Sequence, residues 1–241
     1  MEMIKTNSFE LAVNTAGDPN SDKMMLCLPG RLDTKDYAHI QSHLEYFAAQ
    51  GYFTVSFDPP GTWESNADIS LYTTTNYLIA INEIITHYGN KPTVALGHSR
   101  GGTMAMLAGV QNEYVTHIVA VMSHWGPSGR PDVEGDVHVS TRDVPPGTER
   151  TDERREFRLP MTYFNDLADY SGLDKCVKPK LLFAGTHDVL VTPEDVRKTF
   201  ASAAEPKQFV ELDCEHDYRL HPDVIAEVNE SVREFLERNL V

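Results

Sequence analysis

The sequence predicts an α/β protein with a mostly parallel central sheet covered by helices on both faces. Two observations carry this. Short, wholly apolar segments alternate with segments whose apolar residues recur at helical spacing, and clusters of turn formers separate them. Steady alternation of strand and helix requires crossover connections, and crossovers join parallel strands.

Residues 2–13 alternate loosely through Ile4, Phe9, Leu11 and Val13 and then meet the turn-forming run Asn14 to Asn20, which predicts two edge strands or a hairpin. Met24 to Leu28 is fully apolar and stops at Pro29-Gly30, as a strand buried on both faces does. Tyr37, Ile40, Leu44, Phe47 and Ala48 form a helical stripe that Gly51 closes. Tyr52 to Phe57 is a further strand, ended by Asp58-Pro59-Pro60-Gly61. Leu78, Ile81, Ile84, Ile85 and Tyr88 mark the next helix, and Pro92 to Leu96 and Val115 to Met122 are strands. Lys180 to Gly185 resumes the sheet, Thr192-Pro193-Glu194-Asp195 starts a helix with a hydroxyl cap and early acids, and Lys207 to Leu212 is the last strand. Val224, Ile225, Val228, Val232, Phe235 and Leu236 face a C-terminal helix inward.

Between about residues 126 and 177 the composition shifts to Pro, Gly and charge, without sheet periodicity. About fifty residues are too many for a simple loop, so 127–176 is read as an inserted lid on a single core domain made of 1–126 and 177–241. Tyr163, Phe164, Leu167 and Tyr170 stand at helical spacing and predict a packed lid helix.

Composition narrows the partners. The formal net charge of −15, from 21 basic and 36 acidic residues, opposes phosphate backbones and anionic lipid surfaces. Neither nucleic acid nor membrane is an expected partner; a small molecule is, with monomer and homodimer both open. No uncharged run reaches spanning length, and Met1-Glu2-Met3-Ile4-Lys5 lacks the basic end and apolar stretch of a secretory signal. Cys27, Cys176 and Cys214 are odd in number and far apart, which fits reduced thiols and a cytoplasmic setting.

Chemistry enters at Gly97-His98-Ser99-Arg100-Gly101, followed at once by Gly102. A serine between two glycines at a strand-to-helix junction is a nucleophile elbow, whose tight turn excludes bulk two residues to either side. A serine hydroxyl needs a base, and the base needs an orienting carboxylate. Asp188 follows the strand 180–185 and His216 follows the strand 207–212, so the chain order is serine, acid, histidine. His216 would take and return the proton, and Asp188 would hold the imidazole. Asp195, Asp213 and Asp217 are rival acids, the first reading as a helix cap and the others lying too close to His216 in sequence. The oxyanion needs two donors: the N–H of Arg100, and one from the loop after strand 24–28, with Arg31 chosen and Leu32 the alternative.

Through this elbow, the Asp58-Pro59-Pro60-Gly61 turn, Asp188 and His216, the chain resembles the α/β-hydrolases of the small esterase and serine-aminopeptidase type over nearly its full length. It departs in carrying Pro29-Gly30 where members commonly have His-Gly. The resemblance implies a serine hydrolase without a cofactor, an acyl-enzyme intermediate and a lid at 127–176. A carboxylic ester is the expected substrate. A peptidase would need an amine site, for which Glu149, Asp152, Glu153 and Glu156 are candidates, and a non-catalytic hydrolase-like binding protein is the third reading. Arg31 and Arg100 either draw anionic substrates or serve through their N–H groups while their side chains pair with acids such as Asp58 or Glu64. Cys214, His216 and His221 match no strong zinc spacing, so no metal is expected; His98, His124 and Trp125 are expected to fill the pocket.

Overall fold

The structure is a computed structural model and describes every residue except 66, 128, 130, 132–134 and 240–241. In chain order its strands are β1 (Glu2–Lys5), β2 (Glu10–Ala16), β3 (Met24–Leu28), β4 (Phe53–Phe57), β5 (Thr93–His98), β6 (Val115–Val121), β7 (Val137–Asp143), β8 (Arg154–Pro160), β9 (Lys180–Gly185) and β10 (Lys207–Leu212). The helices are α1 (Ala38–Ala49), α2 (Thr74–His87), α3 (Arg100–Gln111), α4 (Pro193–Ser202) and α5 (Pro222–Arg238).

Eight strands form one sheet in the order β1-β2-β4-β3-β5-β6-β9-β10. The pairs β1/β2 and β2/β4 are antiparallel, and every later pair is parallel. Period two sends successive side chains of a strand to opposite faces. In β3, Met24, Leu26 and Leu28 therefore join one core with residues of α2, α3 and α4. Met25 and Cys27 join the other, with Ile40, Leu44 and Phe47 of α1 and Ile225, Val228 and Val232 of α5. A strand buried on both faces must be apolar throughout, which is why this one carries no polar side chain. Thr192 caps α4 in a reciprocal box with Asp195, so that acid is occupied at the helix end. All three cysteines are free and buried.

The segment between β6 and β9 differs from its expectation. β7 and β8 pair as an antiparallel ribbon, with Phe157 and Leu159 turned inward between the exposed Arg155, Glu156 and Arg158. The period of two is present there, hidden among charges. No lid helix forms on Tyr163, Phe164, Leu167 and Tyr170: Met161–Tyr163 is a single 3-10 turn, and Leu167 is 96 % exposed. The carboxylates explain the failure. Asp166 accepts from the N–H of Ala168 and Asp169 from that of Ser171, local bonds that compete with a helical ladder. Asp166 also receives the N–H and hydroxyl of Thr75 at the start of α2.

Candidate active site

The elbow forms because backbone approaches backbone more closely than a side chain allows. A Cβ on Gly97 would lie 2.1 Å from the Gly101 carbonyl oxygen, and one on Gly101 would lie 2.0 Å from that of Leu28. Glycine is required at both positions by space. Ser99 itself stands between β5 and α3 at φ 52°, a backbone conformation that non-glycine residues rarely adopt. Its N–H donates to the Val121 carbonyl, and its own carbonyl accepts from Gly102 and Thr103.

Three strand ends then converge. His216 Nε2 lies 2.9 Å from Ser99 Oγ, and His216 Nδ1 lies 2.7 Å from Asp188 Oδ2. Asp188 is buried, and its other oxygen accepts the N–H groups of Leu190 at 2.8 Å and Val191 at 2.9 Å. Burial by itself raises that carboxyl, but the His216 contact and the two N–H groups outweigh it and hold Asp188 below its ordinary value. With Nδ1–H pointed at a carboxylate, the Nε2 lone pair is left for the serine hydroxyl. Of the rival acids, Asp213 meets His187 and Asp217 meets Arg150.

On the other side of the cleft, the N–H of Leu32 donates to Tyr72 Oη at 3.1 Å and is thereby occupied. The N–H groups of Arg31 and Arg100 meet no acceptor among the described residues. The side chains of these arginines do not pair with Asp58 or Glu64, as one expectation held. Lys35 occupies that place, its Nζ 2.6 Å from Asp36, 3.2 Å from Asp58 and in contact with Glu64. The same three acids are the group with metal-ligand spacing among the described residues, and the ammonium sits among them.

His98 does more than fill space. Its Nε2 lies 2.9 Å from the His216 carbonyl, which only accepts, so that nitrogen donates and ties down the loop carrying His216. Asp33 lies beside it, 3.7 Å from His98 Nδ1 and 3.3 Å from Arg142 Nε. Arg219 bridges Asp143 and the Gly147 carbonyl, and Tyr37 Oη donates to the Asp143 carbonyl at 2.7 Å, so the β7/β8 connection is bolted to the rim of the site. Nothing in the sequence marks these contacts, because each joins residues far apart in the chain.

Behind His98 lies a set of buried imidazoles. The His39 ring is 5.5 Å from that of His98 and 4.9 Å from the Tyr218 ring, and neither of its nitrogens has a partner among the described residues. His43 bonds Asn229 Oδ1 at 2.6 Å and Tyr218 Oη at 2.7 Å. Burial, and then the neighbouring imidazoles, hold His39 well below its ordinary value; burial takes His43 from 6.5 down to about 4, against the opposing bond to Asn229. The unfolded chain therefore binds protons at these positions that the folded chain refuses. For both the stability is complete above pH 6.5 and declines as the pH falls, for His43 down to about 4. His43 should contribute a slope approaching about 1.4 kcal/mol per pH unit within that window, and His39 acts in the same direction. Urea unfolding at successive pH values measures it, and a flat profile between pH 6.5 and 5 would contradict the assignment.

A cavity of about 400 Å³ opens onto Ser99 and His216, walled by Arg31, His98, Arg100, His124 and Leu190 among others. Trp125, in contrast, leans edge-on against Tyr170. No helix among the described residues is long and apolar enough to cross a membrane.

Comparison with curated proteins finds no match. Among solved structures the chain is similar to Est1E from Butyrivibrio proteoclasticus with ferulic acid bound, at 18% identity and a TM-score of 0.77, covering 100% of this chain and 99% of that one. It is similar to the esterase domain of a Rhodothermus marinus protein at 19% identity and a TM-score of 0.71, covering 98% and 97%. A thioesterase domain from the curacin biosynthetic pathway aligns at 17% identity and a TM-score of 0.71, covering 96% and 98%. At these identities the likeness is one of fold. The model of the alpha/beta hydrolase fold family matches residues 23–168, more than half of the chain, and by that match this protein belongs to the α/β hydrolase fold family.

Proposed function

We propose that the protein is a serine hydrolase that cleaves carboxylic esters through an acyl-enzyme on Ser99. One observation carries the reading: a hydroxyl, an imidazole and a buried carboxylate stand in unbroken hydrogen-bonding sequence at the floor of a cavity. Ser99 Oγ attacks the ester carbonyl carbon while His216 Nε2 takes its proton, and Asp188 offsets the charge that appears on the imidazole. The N–H groups of Arg31 and Arg100 receive the oxyanion. The bond to the leaving oxygen breaks as His216 returns the proton to it. Water then gives a proton to His216, attacks the acyl carbon and frees Ser99, which regains its hydrogen.

Residues 127–176 act as the lid in this reading, with β7 and β8 forming the ribbon over the strand ends. The acids that a peptidase reading requires, Glu149, Asp152, Glu153 and Glu156, are absent from the described cavity wall, where the charged residues the lid contributes are Arg142, Arg150 and Arg154 against the single acid Asp143. That wall disfavours a substrate ammonium. The test is a fluorophosphonate probe together with para-nitrophenyl esters and aminoacyl-nitroanilides. Label on Ser99 and turnover of the esters are expected. Turnover of nitroanilides alone would move the assignment to a peptidase, and neither label nor turnover would make the protein a binder.

A further inference from the structure

The described lining of the cavity in front of Ser99 has a charge opposite to that of the molecule. Among the described residues six arginines and three aspartates line it, in a chain of net charge −15. The three carboxylates are already committed. Asp33 lies 3.3 Å from Arg142, Asp217 lies 2.8 Å from Arg150, and Asp143 serves both Arg154 at 3.4 Å and Arg219. Six positive charges less three negative leave an excess of three.

Two members of that excess are Arg100 and Arg31. Arg100 is 6% exposed, and among the described residues its guanidinium meets neutral acceptors alone, the Gly126 carbonyl, Thr74 Oγ1 and Tyr170 Oη. The Arg31 side chain, partly exposed at the wall, has no hydrogen bond or ion pair to any described residue. A buried cation with no counter-ion among the described residues is unfavourable, and an uncommitted guanidinium lining the same cavity is a fork that carboxylate or phosphate oxygens fit.

We propose that the substrate carries an anionic group, a carboxylate or a phosphate, which Arg31 receives in the field of Arg100, a cation whose described partners are all neutral, while the ester carbonyl lies at Ser99. The proposal rests on the hydrolase reading and adds the substrate class. It also accounts for an arginine-lined mouth on an acidic protein, since the local field draws in anions that the remaining surface repels.

Matched esters test it. Para-nitrophenyl hydrogen glutarate against para-nitrophenyl glutaramate places the charge on the acyl side. Para-acetoxybenzoate against para-acetoxybenzamide places it on the leaving side, and para-acetoxyphenyl phosphate replaces the carboxylate by phosphate. In at least one comparison kcat/KM should favour the charged member by about tenfold. That preference should shrink as salt is raised and fall toward one in Arg31→Gln. Because the readout is a ratio within one variant, a general loss of activity at position 31 cancels. Ratios near one in the unmodified enzyme, with neutral esters still cleaved, would overturn the anion site and leave the hydrolase standing. If no ester is cleaved, calorimetry of glutarate on the Ser99→Ala protein decides. Binding that Arg31→Gln weakens supports the site, and binding no tighter than that of glutaramide overturns it.

Discussion

Replacing Ser99 by alanine is expected to lower kcat for para-nitrophenyl ester hydrolysis by about a millionfold, the scale of losing a nucleophile that acts as one unit with its base. Folding should be nearly untouched. Among the described residues the side chain makes one polar contact, to His216 Nε2, and removing a hydroxyl leaves no apolar cavity. Both glycines that enforce the turn remain, so the backbone at position 99 keeps its shape. Single-turnover kinetics and a melting curve check the two halves of this expectation. A variant that keeps a hundredth of the activity would show that the hydroxyl does not attack. A variant that melts many degrees lower would show that the loss of rate comes from misfolding.

Asp188→Asn should lower kcat by about ten-thousandfold, although it changes one atom. The reason lies in what surrounds the carboxylate. Oδ1 accepts two N–H groups, from Leu190 and Val191, so an asparagine must keep its carbonyl oxygen there and turn its amide nitrogen toward His216. Nδ1 then has to accept, the ring hydrogen moves to Nε2, and Ser99 faces an N–H in place of a lone pair. Binding of substrate should change far less than turnover, so KM and kcat separate. The pH dependence of stability gives a second reading. The Asp188 carboxyl, held below its ordinary 3.8, contributes stability that is complete above that value and is lost as the pH falls through its lower folded value. The asparagine variant lacks that acid limb, and thermal melts between pH 5 and pH 2 should show a shallower fall. An unchanged kcat would remove Asp188 from the mechanism.

The fold was legible because the sheet is buried on both faces. Met24 to Leu28, Thr93 to Leu96 and Val115 to Val121 can carry few polar groups at such positions, so composition alone betrays them. Ser99, Asp188 and His216 were legible for a related reason. Each follows a strand, and parallel strands present their ends on one side, so order along the chain becomes proximity in space. The β7/β8 ribbon was hidden, since a two-stranded ribbon with one exposed face tolerates charges that blur its period, and Asp166 and Asp169 turned an apparent helical stripe into local turns. That Tyr72, forty positions along, occupies the Leu32 N–H could not be read from the sequence, where Arg31 and Leu32 both stood as donors with Arg31 preferred.

From residue order by itself came the sheet, its covering helices, the elbow and the three side chains set at its strand ends, because burial and tight turns leave marks in local composition. Only the tertiary structure decided the pairing of Asp33, Asp143 and Asp217 with four of the cavity's arginines, the lack of a described acidic partner for Arg31 and Arg100, and the enclosure of His39. Those outcomes depend on which distant charge arrives beside which. Electrostatic energy falls off with separation in space, a quantity that chain position does not encode for side chains carried on separate loops.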